Sequence, residues 1–237
     1  MLNLEFLKEA AKKSGFKLDA AQLEKLDQYA ELLVQWNEKI NLTAIVEPDE
    51  ISIKHFVDSF LLLNHITVEE ATKLIDVGTG AGFPSLPCKI MNEKIELTML
   101  DSLNKRVNFL NEVVNSIHVK ANCIHGRAEE CAKELSMREQ FDVATARAVA
   151  HLRELSEFCL PFVKKGGYFV ALKGYEIETE IDESKAAIYA LGGKIVEVKK
   201  YELQDSSKRA IVVIKKISQT PTKYPRSYGK MKKSPIK

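Results

Sequence analysis

Three closely spaced glycines at residues 78–82 form the segment of this sequence best suited to bind a small ligand. Residues 74–84 read L-I-D-V-G-T-G-A-G-F-P, so an apolar strand leads directly into Gly78, Gly80 and Gly82. Glycine permits a tight reversal and lets the backbone approach a ligand without an intervening Cβ. A helix is predicted to begin near Pro84, because proline suits the first turn of a helix. A glycine loop before a helix N-terminus is typical of a site for an anionic group.

The glycine spacing and the acid before it separate two classes of cofactor. A dinucleotide usually binds through its pyrophosphate at G-x-G-x-x-G, whereas the spacing here is G-x-G-x-G. Asp76 precedes the first glycine by two residues, and a carboxylate there suits the ammonium group of S-adenosylmethionine better than a pyrophosphate. The pattern therefore favours S-adenosylmethionine. The alternative for Asp76 is a structural carboxylate that hydrogen-bonds the loop backbone.

Further candidate binding residues stand where later strands are predicted to end. Asp101 ends the second strand, a place where a carboxylate can hold a ribose diol, although it could instead cap the next helix. After the third strand, Ala128 and Glu129 could read an adenine edge, while an acid favoured by a helix dipole is the alternative for Glu129. Arg147 ends the fourth strand and could bind a cofactor carboxylate, a substrate phosphate or a base; a surface arginine is the alternative.

Several common catalytic patterns are missing from the sequence. The four cysteines form no C-x-x-C pair and there is no His cluster, so no metal site is predicted. Methyltransferases that act on exocyclic amines usually carry an Asn/Asp-Pro-Pro-aromatic motif after the fourth strand, where this sequence reads T-A-R-A. A methyl acceptor that needs little acid–base help is therefore expected.

The elements that must position these residues follow a β/α alternation after residue 70. Strands are predicted at 73–78, 95–101, 121–126, 141–146 and 167–174, with helices at 84–91, 103–117, 128–136 and 151–162. Two last strand-like runs, 192–203 and 208–217, flank a short polar loop and predict a hairpin, so the final strand is expected to be antiparallel. The predicted fold is a mostly parallel, Rossmann-like α/β sheet.

The first 70 residues have a helical pattern instead. A helix over 3–13, a second with Asp19 as N-cap and a third after Pro48 are predicted. The expected organisation is a helical extension at 1–70, an α/β domain at 71–217 and a tail at 218–237. The N-terminus has acids within its apolar stretch, unlike a signal peptide, and no apolar run nears the ~20 residues that span a bilayer. A cytoplasmic, monomeric protein without a membrane partner is expected.

The charge of the chain is unevenly distributed. The net charge is +2, but residues 215–237 contain eight Lys or Arg and no acid. Such a tail commonly contacts nucleic acid, although solvated basic tails without partners also occur. Its three prolines and one glycine predict an extended segment, only partly ordered unless bound.

Together, several motifs resemble one family over nearly the whole chain. They are NLTAI (41–45), HFVDSF (55–60), DVGTGAGFPSLP (76–87), DSLNKR (101–106), RAEE (127–130), TARAVA (145–150), KKGGYFVALKG (164–174) and the tail Y-P-R-x-x-G-x-x-x-K-x-P (224–235). The chain resembles the glucose-inhibited division protein B family, bacterial 16S ribosomal RNA guanine-N7 methyltransferases. Thr79 and Ile236 are minor departures from that family's pattern.

The resemblance implies a class I methyltransferase that uses S-adenosylmethionine and acts on 16S ribosomal RNA or the small-subunit particle. It implies cofactor contacts at Gly78, Phe83, Ala128, Glu129 and Arg147. Our own hypothesis is that Arg147 also positions the reactants at the reacting end. Guanine N7 carries no proton, so no general base is expected.

With RNA as the implied substrate, cations of the tail and of one loop are expected to bind its phosphates. Arg226 and Lys233 in the tail, together with Lys173, are the candidate RNA-binding residues. Removal of everything after Ile217 is expected to weaken RNA binding and to leave cofactor binding unchanged. A nucleotide-dependent oxidoreductase and a non-catalytic RNA-binding or ribosome-assembly factor are the competing hypotheses.

Overall fold

A seven-stranded sheet forms the centre of the protein in the computed structural model, which describes residues 1–147 and 150–236. The strands are β1 (Thr72–Val77), β2 (Ile95–Asp101), β3 (Ala121–His125), β4 (Phe141–Arg147), β5 (Val163–Gly174), β6 (Gly193–Glu202) and β7 (Lys208–Lys216). Their order across the sheet is β3-β2-β1-β4-β5-β7-β6. The first five strands pair in parallel, and β7 runs antiparallel to both of its neighbours. The predicted fold class, including the antiparallel last strand, is confirmed.

The alternation of side chains along the strands divides the apolar core into two layers. Leu74 belongs to one buried cluster and Ile75 to the other, because successive residues of a strand point to opposite faces. The first layer contains the helices before residue 70 together with α5 (Ser85–Met91) and α6 (Asn104–Ser116). The second contains α8 (Leu152–Cys159) and α9 (Glu178–Ala190). The sheet is therefore covered on both faces, as parallel strands require.

The N-terminal helices lie where the sequence predicts them. They are α1 (Leu4–Lys13) and α2 (Ala20–Ile40). Asp19 is the N-cap of α2: its side chain accepts from the N–H of Gln22, whose side chain accepts in turn from the N–H of Asp19. This reciprocal capping box fixes the start of the helix.

The helix after Pro48 is irregular. It consists of α3 (Pro48–Glu50), a π-helical stretch (Ile51–Val57), α4 (Asp58–Phe60) and a 3₁₀ stretch (Leu61–His65). π-Helical turns are rare and frequently occur at functional sites. The π-helical stretch brings the motif HFVDSF to the carboxyl ends of the parallel strands, where Asp58 contacts Arg147 at the end of β4.

The remaining connections differ from the sequence expectations in two places. The helix predicted at 128–136 is only α7 (Ala128–Cys131), after which the chain turns and Arg138 Nη1 donates to the Ala132 carbonyl. The helix α9 between β5 and β6 was not predicted, because only a few apolar residues interrupt its charged sequence.

The C-terminal segment is folded, which corrects the expectation of an extended, partly ordered tail. A short helix, α10 (Tyr228–Lys233), ends the chain, and Tyr224 and Met231 are buried in the second apolar layer. Apolar side chains spaced among the lysines provide the contacts that order this segment. Lys237, in the tail, lies outside the described residues, as do Ala148 and Val149 in the motif TARAVA.

The glycine loop packs directly against α2. Gly82 has a φ of 95°, and a Cβ at this position would lie 2.6 Å from the Tyr29 hydroxyl oxygen and 3.1 Å from Leu110 Cδ2. The Tyr29 hydroxyl donates to the carbonyl of Ala81 in the same loop. Glycine is therefore needed at position 82 for two reasons: its φ is positive, and α2 packs too closely to leave room for a side chain.

We expect Gly82→Ala to lower the free energy of unfolding by about 2–4 kcal/mol, because it adds backbone strain to a steric clash with Tyr29. Urea denaturation measures the loss. Gly229→Ala is the control, since a Cβ there meets no atom within 4 Å and the residue lies in a helix. Equal stability of the two variants would contradict the packing role of Gly82.

Candidate active site

Two adjoining cavities open at the carboxyl ends of β1, β2 and β4. The smaller has a volume of about 250 Å³ and the larger about 780 Å³. Gly78, Asp101 and Ser102 line both. Carboxyl strand ends are the usual ligand site of an open α/β sheet.

The cavities bring together most of the binding residues predicted from the sequence. Ala128 and Glu129 line the smaller one. Gly80, Phe83, Arg147 and Lys173 line the larger one. The residues assigned to an adenosine thus lie on one side of Gly78 and Asp101, and those assigned to the reacting end lie on the other.

Asp101 is a buried carboxylate that connects the glycine loop to the second strand. Its Oδ2 accepts from the Gly80 N–H at 2.9 Å and lies 3.4 Å from Arg106 Nη1, while Oδ1 accepts from the Leu103 N–H at 2.9 Å. Leu103, not Asp101, is the N-cap of α6. Asp101 therefore fixes the loop while it faces both cavities.

Asp76 lies beneath the loop and lines neither cavity. Its Oδ2 accepts from Thr79 Oγ1 at 2.8 Å and from Ser85 Oγ at 2.7 Å, and its Oδ1 has no hydrogen-bond partner among the described residues. Burial raises the pKa of this carboxyl to about 7, although the hydrogen bonds from Ser85 and Thr79 oppose the shift. These contacts fit the alternative in which Asp76 is a structural carboxylate that supports the glycine loop.

Gly80 leaves open space above the loop. Its φ is 61°, and a Cβ built there would meet no atom within 4 Å. Because Gly80 lines the larger cavity, that space belongs to the site. A side chain at position 80 would fill this space, so glycine here keeps it open for a ligand.

Arg147 is the centre of a polar network at the far side of the larger cavity. Its Nη1 donates to Asp58 Oδ2 and to the Lys54 carbonyl, both at 3.1 Å, and its Nη2 lies 3.1 Å from His55 Nδ1. The Tyr201 hydroxyl donates to the other oxygen of Asp58 at 2.9 Å. The guanidinium is therefore paired, and the alternative of a free surface arginine does not describe it.

His55 is a neutral ring held in a stack. Burial, with the neighbouring Arg147 guanidinium, lowers the pKa of His55 to about 3. Its Nδ1 therefore accepts from Arg147, and its Nε2–H donates to Thr43 Oγ1 at 2.9 Å. The ring stacks on Phe83, with centroids 4.4 Å apart, and Phe83 stacks in turn on Tyr29.

Sequence reasoning missed four residues of this network: Thr43, His55, Asp58 and Tyr201. His55 and Asp58 are three residues apart in an otherwise apolar stretch, and this spacing puts two polar side chains on one helical face. That pairing was a detectable signal. Thr43 and Tyr201 gave none, because nothing in their local sequence marks them.

The three candidate RNA-binding residues occupy different environments. Lys173 lines the larger cavity, where its Nζ donates to the Ala150 carbonyl and pairs with Glu180. Arg226 pairs with Glu157 at 2.6 Å and lines neither cavity. Lys233 is exposed on α10.

Metal-binding clusters and membrane-spanning helices are not found in the part of the chain that the structure describes. In residues 1–147 and 150–236, no group of three or more His, Cys, Asp or Glu side chains is arranged to hold a metal ion. Nor does any helix within these ranges have the length and apolar character to cross a membrane.

The fold is shared with known methyltransferases. The structure of a SAM dependent methyltransferase from Aquifex aeolicus matches with a TM-score of 0.50 and 19% identity, covering 70% of this chain and 93% of that one. At that identity the match concerns the fold alone. The sheet order and the glycine loop thus define a class I, Rossmann-like methyltransferase fold.

Sequence relatives narrow the assignment further. The family model described as GidB, rRNA small subunit methyltransferase G, matches residues 22–212. Proteins named Ribosomal RNA small subunit methyltransferase G are 51% identical over 233 residues in Alkaliphilus metalliredigens and 50% identical over 235 residues in Clostridium beijerinckii, each covering 98% of both chains. The chain belongs to this GidB family, which confirms the resemblance.

The buried Asp76 makes a testable contribution to stability. A carboxyl with a raised pKa holds its proton more tightly in the folded protein than in the unfolded chain, so it destabilises the fold increasingly as pH rises from about 4 to about 7. Asp76→Asn removes this titration. We expect the stability of the original protein relative to Asp76→Asn to fall by roughly 3 kcal/mol between pH 4.5 and 8, measured by urea denaturation.

Asp142→Asn is the control for this pH dependence. Asp142 is partly buried, which opposes the shift, but hydrogen bonds from Lys164 and from the Lys73 N–H lower its pKa, so it titrates below that pH range. Its difference curve should be flat from pH 4.5 to 8. A flat curve for Asp76→Asn as well would place the pKa of Asp76 in its ordinary range.

Proposed function

We propose that this protein transfers the methyl group of S-adenosylmethionine to N7 of a guanine in 16S ribosomal RNA. Family membership supports the class of substrate, since the relatives are named for small-subunit ribosomal RNA. One observation carries the choice of atom: at the far end of the larger cavity both ring nitrogens of His55 are hydrogen-bonded, and the Asp58 carboxylate is paired with Arg147 and Tyr201, so neither group is placed as a general base.

The residues present fit S-adenosylmethionine. The open space above Gly80 and the loop around Gly78 can take the amino-acid portion, next to Phe83 and Arg147. Asp101 stands between the cavities, where its carboxylate can accept from the ribose hydroxyls. Ala128 and Glu129, which line the smaller cavity, would then flank the adenine. When bound, this cofactor supplies an electrophilic methyl group on a sulfonium.

Guanine N7 is the acceptor that this site can serve without a base. Its lone pair forms the new N–C bond while the methyl–sulfur bond breaks and leaves its electron pair on sulfur, so no proton moves. His55 is neutral but uses both ring nitrogens, and Asp58 accepts from Arg147 and Tyr201. The task of these residues is therefore to hold Arg147 and Phe83 in place, because alignment of the reactants supplies most of the rate.

The Asp58 carboxylate also balances charge. The methyl donor is a cation, and methylation at N7 gives a cationic base, so an unpaired guanidinium nearby would oppose both. Asp58 lies 3.1 Å from Arg147 and largely cancels its charge. Both side chains line the larger cavity, which makes them one neutral, rigid wall of the site.

The mouth of the larger cavity offers cations for RNA phosphates. Lys54, Arg106, Lys173 and Arg209 line it. Lys54, Arg106 and Lys173 each already pair with a carboxylate, as Arg226 does in the tail, so we assign RNA contacts first to Arg209 and to the exposed Lys233. Phosphate contacts of this kind make RNA affinity fall with salt concentration.

A methyl-transfer assay tests the proposal. The purified protein receives labelled S-adenosylmethionine and unmodified small-subunit RNA, offered both naked and as particles. We expect label in one guanine, located by borohydride reduction and aniline cleavage at 7-methylguanine. Label without cleavage would place the methyl on another atom. Absence of cofactor binding would reject the methyltransferase assignment and favour the oxidoreductase or a non-catalytic factor.

The charge-balancing role of Asp58 predicts a difference between two ligands. Asp58→Asn leaves Arg147 unbalanced, and we expect it to weaken S-adenosylmethionine about 3–10-fold more than S-adenosylhomocysteine, whose sulfur is uncharged. Calorimetric titration measures both affinities. Adding Arg147→Gln to Asp58→Asn should restore the original ratio.

Asp142→Asn is the matched control, because Asp142 lies at the start of β4, away from the carboxyl edge. It should leave the affinity ratio unchanged. An unaltered ratio in Asp58→Asn, with thermal denaturation showing a folded protein, would exclude the electrostatic role of Asp58.

A further inference from the structure

The last helix of the chain reaches the smaller cavity. Tyr228, the first residue of α10, lines it together with Asp101, Ala128, Glu129 and Phe158. We propose that the C-terminal segment 218–236 forms one wall of the cofactor site and that Tyr228 packs against the adenosine portion of S-adenosylmethionine. The inference rests on the proposed function.

The ring of Tyr228 is available for such a contact. Its centroid lies 5.9 Å from that of Phe158 at an interplanar angle of 37°, and the residue is 39% exposed in a protein that buries most of its aromatic rings. Aromatic side chains beside an adenosine-sized cavity offer a stacking surface for a base. Phe158 and Tyr228 therefore form an aromatic corner opposite Asp101.

A buried ion pair holds this corner together. Glu157 is 2% exposed and accepts three hydrogen bonds from Arg226: from the backbone N–H at 2.8 Å, from Nε at 2.8 Å and from Nη2 at 2.6 Å. Arg226 Nη1 also donates to the Ser234 carbonyl at 2.6 Å, beyond α10. Because Glu157 precedes Phe158 on α8, one pair fixes both aromatic residues. Breaking such a buried pair leaves an uncompensated charge, so the docked position is strongly favoured.

A second anchor lies upstream in the same segment. Arg138 Nη2 donates to the Thr220 carbonyl at 2.8 Å, and Nη1 donates to the Tyr224 carbonyl at 3.0 Å. Met231, one turn after Tyr228, is buried in the second apolar layer. The segment is thus held on both sides of Tyr228, so its position at the cavity follows from three independent contacts.

The lysines of α10 are exposed to solvent. Lys230 and Lys233 are exposed and available to RNA, whereas Lys232 Nζ lies 5.0 Å from the centroid of the Tyr228 ring, which lines the cavity. One short helix therefore serves both proposed ligands. The proposal therefore predicts that removal of the tail weakens cofactor binding, in contrast to the sequence expectation that it leaves cofactor binding unchanged.

Titration calorimetry with S-adenosylhomocysteine, on the full-length protein, tests the proposal. We expect Tyr228→Ala to weaken binding about 10-fold, since stacking on a base is worth about 1–3 kcal/mol. Tyr228→Phe keeps the ring and should stay within about 2-fold of the original affinity. Tyr189→Ala removes an exposed tyrosine of α9 that lines neither cavity, and Lys233→Ala removes a charge of α10; both should bind normally.

Each outcome separates this inference from the proposed function. If the original protein does not bind S-adenosylhomocysteine or S-adenosylmethionine, the proposed function fails. If the original protein binds and Tyr228→Ala binds equally well, only the wall is excluded. A loss in Tyr228→Phe as large as in Tyr228→Ala would also contradict it, because the ring alone should suffice.

Limited trypsin digestion of the unaltered protein gives a second measurement that does not depend on variant folding. Cleavage after the lysines of α10 should slow at saturating S-adenosylhomocysteine, because the ligand fills the space beside Tyr228. Equal cleavage rates with and without the ligand would overturn the proposal.

Discussion

The ion pair between Arg147 and Asp58 joins parts of the chain that are far apart in sequence, and the site depends on it. Arg147 ends β4, Asp58 begins α4 in the N-terminal extension, and Tyr201 reaches the same carboxylate from β6. Asp58 is 2% exposed. Removing one partner of such a buried pair costs about 3–5 kcal/mol, because the other charge is left uncompensated. The N-terminal helices are therefore part of the catalytic architecture that we propose, in addition to covering one face of the sheet.

This pair also explains the irregular helix that carries it. Arg147 donates to the Lys54 carbonyl and to His55 Nδ1 in addition to Asp58, so its three acceptors lie within five residues of the chain. Residues Ile51–Val57 are π-helical, and the wider turn brings a backbone carbonyl to the same guanidinium as two side chains. The stack of His55 on Phe83 then connects this turn to the glycine loop. Rigidity here comes from contacts between the extension and the sheet.

The sequence predicted what depends on local pattern and missed what depends on distant partners. Strand periodicity gave all seven strands, and three close glycines gave the loop, because both signals lie within a few residues. His55 and Asp58 acquire their meaning only beside Arg147, about 90 residues later. The tail shows the same limit: its prolines and glycine predicted an extended, only partly ordered segment, whereas Tyr224, Met231 and a buried Glu157 on another helix decide that it folds. Composition cannot distinguish a free basic tail from a docked one when the docking partners, such as Glu157 and Arg138, are distant in sequence.

The electrostatics of the site explain why neither His55 nor Asp58 is suited to act as a general base. A general base needs a pKa near the working pH and a free lone pair, but burial and Arg147 lower the pKa of His55 to about 3, and both of its nitrogens are engaged. Each oxygen of Asp58 accepts one hydrogen bond, from Arg147 and from Tyr201, and the paired guanidinium favours the carboxylate form. A site built in this way is poorly suited to an amine, which must lose a proton, and well suited to an acceptor whose lone pair is already free. The same contacts hold Phe83 and Arg147 in place, which is what a reaction limited by alignment requires.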